Sequence, residues 1–166
     1  MIVLGIDPGT ATTGYGLLRE QEDGILTVIK YGVILTPAED PMPERLLALH
    51  RELKDIILLH RPNSGAVEKL FFQKNVRTAL SVGQARGVVL LAMKEAGLDI
   101  FEYTPLEVKQ AVAGYGGADK SQVQQMVRAL LELDKVPQPD DAADALAIAI
   151  CHIHSSRMKS LIEEVG

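Results

Sequence analysis

Hydrophobic positions in the first 35 residues follow a pattern typical of β-strands. Residues 1–6 form a continuous apolar run, which predicts a strand buried on both of its faces. Residues 13–18 and 25–35 predict two further strands, and the polar residues 20–24 between them are typical of a hairpin turn. The chain is therefore expected to open with three consecutive strands.

After residue 42 the spacing of apolar residues becomes helical. Leu and Ile recur every three or four positions from about 43 to 60, which predicts a first helix. Gly97 and Asp119 are typical residues for the end of one later helix and the start of another. After the first helix, the sequence predicts one strand that starts at 66 and another that spans 98–103. It also predicts helices at about 75–96, 105–112, 120–133 and 140–164. The order βββαβαβααα predicts an α/β sheet with helices on its faces.

Composition sets further limits on the kind of protein. The chain has 166 residues, of which 47% are hydrophobic, so we expect one folded domain over residues 1–166 with a largely aliphatic core. Cys151 is the only cysteine, which rules out an intramolecular disulfide. No apolar run approaches the roughly 20 residues of a membrane span, and no basic segment typical of a signal peptide precedes the first strand. These features favour a cytoplasmic protein.

Charge is unevenly distributed along the chain. The net charge of -5 argues mildly against a nucleic-acid partner. Residues 69–128, however, contain eight Lys or Arg against five Asp or Glu, whereas the segments on either side are acidic. A basic middle segment is what a protein needs to hold phosphates beside an acidic metal site.

Four separated acids are the main candidates for chemistry. Asp7 ends the first apolar run and Glu68 ends the run 65–67, so each is expected at the end of a strand. Asp141 and Asp144 are three positions apart and share one face of the last helix, as Asp140 and Asp144 also would. The spacing alone does not choose between Asp140 and Asp141.

Carboxylates that a fold brings together repel one another, and a bound divalent cation removes that repulsion. Hard oxygen ligands suit Mg²⁺ or Mn²⁺. The four acids therefore predict metal-assisted phosphodiester chemistry. Apart from the pair His152 and His154, none of the four histidines shows a metal-ligand spacing, and two positions on a helix point that pair apart. We therefore assign no functional role to the histidines.

Several short segments resemble one known family. They match, in order along almost the whole chain, the RuvC family of Holliday junction resolvases. These segments are GIDPGT at 5–10, VEKLFFQKN at 67–75, LSVGQARG at 80–87, VKQ at 108–110, KSQV at 120–123 and DAADAL at 141–146.

The resemblance implies a fold and an activity. The expected fold is RNase H-like, with a mixed five-stranded β-sheet flanked by α-helices. The expected enzyme is a homodimeric, Mg²⁺-dependent endodeoxyribonuclease that resolves four-way DNA junctions by paired symmetric nicks of opposing strands. The nicks leave 5′-phosphate and 3′-hydroxyl ends, in DNA recombination and repair. The expected partner is the RuvA–RuvB branch-migration complex.

The resemblance also implies roles for individual residues. Two Mg²⁺ ions, for which Mn²⁺ substitutes, would be held by four acids, with Asp141 chosen over Asp140; the four are Asp7, Glu68, Asp141 and Asp144. Lys120 would act in catalysis and bind DNA, Lys109 would bind a neighbouring phosphate, and Phe71 would stack on an unpaired base. Asn75 and Arg77 are further DNA-binding candidates from their place beside Phe71, since Arg favours guanine edges.

The helix predicted at 75–96 is apolar around much of its girth. Such a helix is buried on more than one face, and a two-fold partner would cover the face turned away from the sheet. Gly83 and Gly87, four positions apart, would allow a close backbone approach there.

Two other functions are compatible with parts of the sequence. Residues 6–14 resemble the first phosphate loop of actin-like ATPases and sugar kinases, but these enzymes need about twice this length and a second loop. A non-catalytic nucleic-acid-binding or RNA-processing protein of the wider RNase H-like superfamily would also share the fold. The presence of all four acids argues against the second alternative.

Overall fold

A mixed five-stranded sheet forms the centre of the fold. The computed structural model describes residues 1–69 and 76–165, without the side chain of Arg77. The sheet order is β3-β2-β1-β4-β5; β1 and β2 pair antiparallel, as do β2 and β3, whereas β4 is parallel to both β1 and β5. The strands are β1 (Ile2–Asp7), β2 (Thr12–Glu20), β3 (Leu26–Leu35), β4 (Ser64–Glu68) and β5 (Asp99–Tyr103).

Five helices in the described part of the chain cover the sheet. They are α1 (Met42–His60), α2 (Val76–Glu95), α3 (Pro105–Ala113), α4 (Lys120–Leu130) and α5 (Asp140–Val165). The order of strands and helices is the predicted one. None of the described helices has both the length and the apolar composition needed to cross a membrane.

The two faces of the sheet bury different halves of the core. On β1, Val3 packs with residues of α3, α4 and α5, whereas Leu4 and Ile6 pack with residues of α1 and α2. Successive side chains of a strand point to opposite faces, so a continuous apolar run is what a strand covered on both faces requires. The predicted double burial of the first strand is therefore confirmed.

Two glycines let α5 approach the sheet at backbone distance. A Cβ atom on Gly14 would lie 1.9 Å from the backbone oxygen of Asp141, and one on Gly5 would lie 2.1 Å from that of Ala145. Neither space accommodates a side chain. Because Gly14 pairs directly with Asp7 across β1 and β2, this contact brings the start of α5 to the end of β1.

Helix ends follow the predicted signals with one exception. Gly97 ends α2 with a positive φ of 76°, and Asp119 caps α4 by accepting a hydrogen bond from the backbone N–H of Gln122. The prediction that α4 continues to Leu133 is wrong, since the helix ends at Leu130. Glu132 adopts a positive φ of 52°, and the N–H of Leu133 then bonds back to the carbonyl of Arg128. Glycine usually takes this left-handed position, so the sequence carries no visible stop signal there.

Candidate active site

Two of the four acids lie at the carboxyl-terminal edge of parallel strands. Asp7 is the last residue of β1 and Glu68 is the last residue of β4, and these strands are direct neighbours. The loop after Asp7 is fixed by Thr13, whose hydroxyl donates to the carbonyl of Gly9 at 2.9 Å. This edge is the usual ligand-binding edge of an open α/β sheet.

The other two acids come from the first turns of α5. Asp141 and Asp144 lie on one face of the helix, which the contact at Gly14 holds against the end of β1. One carboxylate oxygen each of Asp7, Asp141 and Asp144 can be chosen so that all three lie within 4.8 Å of one another. Three acids that are far apart in sequence therefore converge on one point.

The convergence perturbs the ionisation of these groups. Burial, followed by the charges of Asp144, Glu68 and Asp141, raises the pKa of Asp7 to about 8. A hydrogen bond with Asp141 also favours the protonated form of Asp7. Burial likewise raises the pKa of Asp144, although the Lys120 ammonium opposes this shift. At neutral pH, the site therefore retains a proton that an isolated aspartate would have lost.

Glu68 lies beside this group of three but not within it. It lines a cavity of about 220 Å³ together with Asp144, Lys109 and Lys120. Burial and the charge of Asp144 raise the pKa of Glu68, and the ammonium of Lys109 acts in the opposite direction. Apolar residues of α3, α4 and α5 line the rest of the cavity: Pro105, Val108, Val123, Ala147 and Ile148. No pattern in the sequence singled out this apolar part of the site.

Lys120 lies at the mouth of the cavity and contacts two acids. Its Nζ is 3.2 Å from Oδ2 of Asp140 and 3.6 Å from Oδ2 of Asp144. Burial lowers the pKa of Lys120, but the charges of Asp144 and Asp140 outweigh this effect and the net shift is upward. Asp140, the alternative to Asp141, thus faces Lys120, while Asp141 belongs to the group of three carboxylates.

A buried histidine, to which the sequence analysis gave no role, fixes α5 against the sheet. His152 is 2% exposed, and its two ring nitrogens contact the hydroxyls of Ser64 at 3.0 Å and Tyr103 at 2.8 Å. Its ring also stacks on Phe101 at 4.4 Å between centroids. The contact with Ser64 joins the helix that carries Asp141 and Asp144 to the strand that carries Glu68.

Three predicted DNA-binding residues cannot be located in this site. Phe71 and Asn75 lie outside the described residues. Arg77 is the second residue of α2, and its side chain is not described. Their roles remain predictions.

The described acids fit a hard divalent cation. Carboxylate oxygens are the ligands that such ions prefer, and three of them lie within 4.8 Å of one another. The raised pKa of Asp7 indicates that the group needs a positive counter-charge, which a proton supplies in the metal-free protein. A buried acidic cluster of this kind could bind metal ions.

Comparison with known proteins identifies relatives along most of the chain. The family model described as crossover junction endodeoxyribonuclease RuvC matches residues 3–152. A protein of that name from Desulfitobacterium hafniense is 62% identical over 155 residues, which is 93% of each chain. Another from Syntrophomonas wolfei is 55% identical over 163 residues, which is 98% of this chain and 94% of the relative. The family match spans all four acids and both candidate lysines.

Solved structures show the same fold. The Thermus thermophilus RuvC structure superimposes with a TM-score of 0.90 at 39% identity, over 96% of this chain and 97% of that one. The same protein in complex with a Holliday junction substrate gives 0.91, at 39% identity over 96% of each chain. The yeast mitochondrial resolvase Ydc2, at 16% identity and a TM-score of 0.70, shares the fold. These matches confirm the RNase H-like fold that the resemblance implied.

Proposed function

This chain belongs to the RuvC family of crossover junction endodeoxyribonucleases, and we propose that it resolves four-way DNA junctions in recombination and repair. It does so by paired symmetric nicks of opposing strands, which leave 5′-phosphate and 3′-hydroxyl ends that a ligase can seal. The observation that carries this proposal is the convergence of Asp7, Asp141 and Asp144 within 4.8 Å, in a chain matched by the family over residues 3–152.

The metal cofactor is Mg²⁺, with two ions per site and Mn²⁺ as a substitute. Asp7, Asp141 and Asp144 would hold the ions, and Glu68 would join them from the end of β4. Asp7 would be central to this ligand set, because it lies on the central strand and interacts with the charges of the other three acids. When bound, the ions supply an activated water and stabilise the leaving 3′ oxygen.

The two cavity lysines bind and neutralise the DNA backbone. Lys120, 3.6 Å from Asp144, is close enough to the acids to stabilise negative charge developing on the scissile phosphate. Lys109 lines the same cavity beside Glu68 and holds a neighbouring phosphate. Phe71 stacks on an unpaired base near the crossover, and Asn75 and Arg77 contact the DNA beside it.

The protein acts as a homodimer, since two opposing strands must be cut. The support is an exposed apolar strip on α2, where Val76, Leu80 and Leu91 are 86%, 64% and 54% exposed. A Cβ on Gly87 would meet nothing within 4 Å, so the backbone is open to a partner there. Leu80→Arg should give a monomer by sedimentation, whereas Leu58→Arg, on the exposed side of α1, should leave a dimer. A monomeric parent protein would contradict the proposal.

The RuvA–RuvB branch-migration complex is the expected partner on the junction. This part of the proposal rests on family membership. A pull-down of this chain, RuvA and RuvB on immobilised junction DNA tests it, with linear duplex as the control. Equal recovery of the components on the two DNAs would count against it.

The decisive experiment is cleavage of a synthetic mobile four-way junction, compared with linear duplex of the same sequence, with and without Mg²⁺. We expect symmetric nicks only in the junction and only with the metal. Asp141→Asn should abolish cutting while junction binding persists. Tight binding without nicks in either Mg²⁺ or Mn²⁺ would point instead to a non-catalytic nucleic-acid-binding protein.

A further inference from the structure

Asp140, the acid beside the proposed metal ligands, has both of its carboxylate oxygens turned to α4. Oδ2 lies 3.2 Å from Nζ of Lys120, and Oδ1 accepts a hydrogen bond of 3.1 Å from Nε2 of Gln124. Gln124 is one helical turn after Lys120, so the two donors lie on one side of α4 and bind the same carboxylate. Asp140 does not belong to the group of carboxylates within 4.8 Å of one another.

Lys120 is a side chain that needs such a partner. It is 58% exposed, and the rotamer entropy of a lysine side chain opposes holding it in one place. In the metal-free protein two acids share its ammonium, since Asp144 lies 3.6 Å away. One of these acids, Asp144, is a ligand in the proposed reaction.

Metal binding changes the balance between these two contacts. If Asp144 held a divalent cation, the charge of the cation would offset the attraction between Asp144 and the ammonium, and the cation would itself repel Lys120. Asp140 lies outside the group of three carboxylates, so its charge stays available to Lys120. Gln124 holds the second oxygen of Asp140, so the carboxylate remains oriented toward α4.

We propose that Asp140 is a positioning residue that keeps the Lys120 ammonium at the mouth of the cavity while the metal site is filled. The inference rests on the proposed function, because Lys120 acts there on the scissile phosphate. The Asp140 side chain is 54% exposed, so the pair is a surface ion pair of modest strength. The expected effect on the cleavage rate is correspondingly modest, about three- to tenfold.

A double-mutant cycle tests the proposal. The single-turnover rate of cutting at saturating junction and saturating Mg²⁺ is measured for the parent, Asp140→Asn, Lys120→Ala and the double variant. We expect Asp140→Asn to cut three- to tenfold more slowly than the parent with unchanged junction affinity. In the Lys120→Ala background, the same substitution should change the rate by less than a factor of two. Gln124→Ala should slow cutting less than Asp140→Asn does.

Asp134→Asn is the matched control. It removes the same charge from an exposed acid of the α4–α5 connection, which forms no ion pair in the described part of the chain. Its rate should equal that of the parent. Asp140 also stabilises the first turn of α5 as an acid at a helix N-terminus, and its replacement removes that stabilisation. The melting temperature of each variant measures this loss of stability separately from the effect on cutting.

Three outcomes would overturn the proposal. A parent rate for Asp140→Asn would show that Lys120 does not depend on Asp140. An equal loss in the Lys120→Ala background would show that Asp140 acts on its own. A raised Mg²⁺ concentration for half-maximal cutting, similar to that of Asp141→Asn, would make Asp140 a metal ligand. In each case the parent still cuts the junction, whereas a parent that does not cut would mean that the proposed function itself has failed.

Discussion

Replacing Asp7 by Asn should stabilise the metal-free protein while abolishing its activity. The reason is the raised pKa of Asp7, about 8 compared with 3.8 in an unperturbed aspartate. At pH 7 the carboxyl is therefore mostly protonated in the folded chain and ionised in the unfolded chain. Folding must take up this proton against the solution pH, and an asparagine, which is neutral in both states, does not require it.

The size of the effect follows from the two pKa values of Asp7. A solution at pH 7 is about three pH units above the pKa of the unfolded carboxyl, and each unit corresponds to about 1.36 kcal/mol. Protonating Asp7 on folding therefore costs about 4 kcal/mol. Water that enters the open side of the site reduces this figure, so we expect Asp7→Asn to add about 2 to 4 kcal/mol to the free energy of unfolding. For a chain of this size the melting temperature should rise by roughly 5 to 15 °C.

The stability difference between Asp7→Asn and the parent should also depend on pH in one direction only. A group with a raised folded pKa contributes stability that is present below its unfolded pKa and is lost as the pH rises toward the folded value. The difference in unfolding free energy between Asp7→Asn and the parent should therefore grow with pH, by up to about 1.36 kcal/mol per pH unit between 5 and 7. Contributions from residues outside the acidic site are common to both proteins and cancel in this difference.

Urea unfolding with a chelator present, at several pH values, measures this difference directly. Asp55→Asn, an exposed acid of α1, is the control and should change the free energy by less than 0.5 kcal/mol. Excess Mg²⁺ should stabilise the parent more than Asp7→Asn and narrow the gap between them. A variant that is no more stable than the parent at pH 7, or a difference that stays constant with pH, would refute the reasoning.

Three further predictions concern the parts that assemble the site. Lys120→Ala should slow cutting by about 10- to 100-fold and weaken junction binding far less, as measured by single-turnover kinetics and fluorescence anisotropy; equal losses would make Lys120 a simple phosphate anchor. Gly14→Ala places a Cβ atom 1.9 Å from the Asp141 backbone oxygen, so it should raise the Mg²⁺ concentration for half-maximal cutting and cost about 1–3 kcal/mol of stability. Gly117→Ala, where a Cβ makes only ordinary contacts, is its control, and equal effects of the two would contradict this account. Burial lowers the pKa of His152, so its contribution to stability is present above about pH 6.5 and is lost as the pH falls below that value. His152→Phe should therefore lose less free energy of unfolding than the parent between pH 7 and 5, and an unchanged slope would argue against this contribution.

Much of the fold is visible in the sequence because its elements have distinct periods. The apolar run of β1 and the helical spacing of α1 each admit one interpretation, so the order of elements could be predicted. The end of α4 could not, because Glu132 takes a backbone conformation for which glycine is the usual signal. The end of a helix can therefore be predicted only where the local residues specify it.

The site was also predictable only in part. The ends of β1 and β4 identify Asp7 and Glu68, since parallel neighbouring strands end at one edge. The spacing left Asp140 and Asp141 equivalent, because the rotation of α5 about its axis is set by its contact with Gly14 and is invisible in a helical repeat. His152 gave no signal for a similar reason, since Ser64 is 88 positions away and becomes its neighbour only in the folded chain.

The close contact of α5 with the sheet also determines when a newly synthesised chain can become active. Asp7 and Glu68 leave the ribosome early, whereas Asp141 and Asp144 belong to the last helix of the fold. That helix packs on one face of the sheet together with α3 and α4, so the cover on that side is incomplete until α5 emerges. At the usual 5–20 residues per second, several seconds separate the first acid from the last. The candidate site is therefore incomplete until the start of α5 has been made, and it forms together with that half of the core.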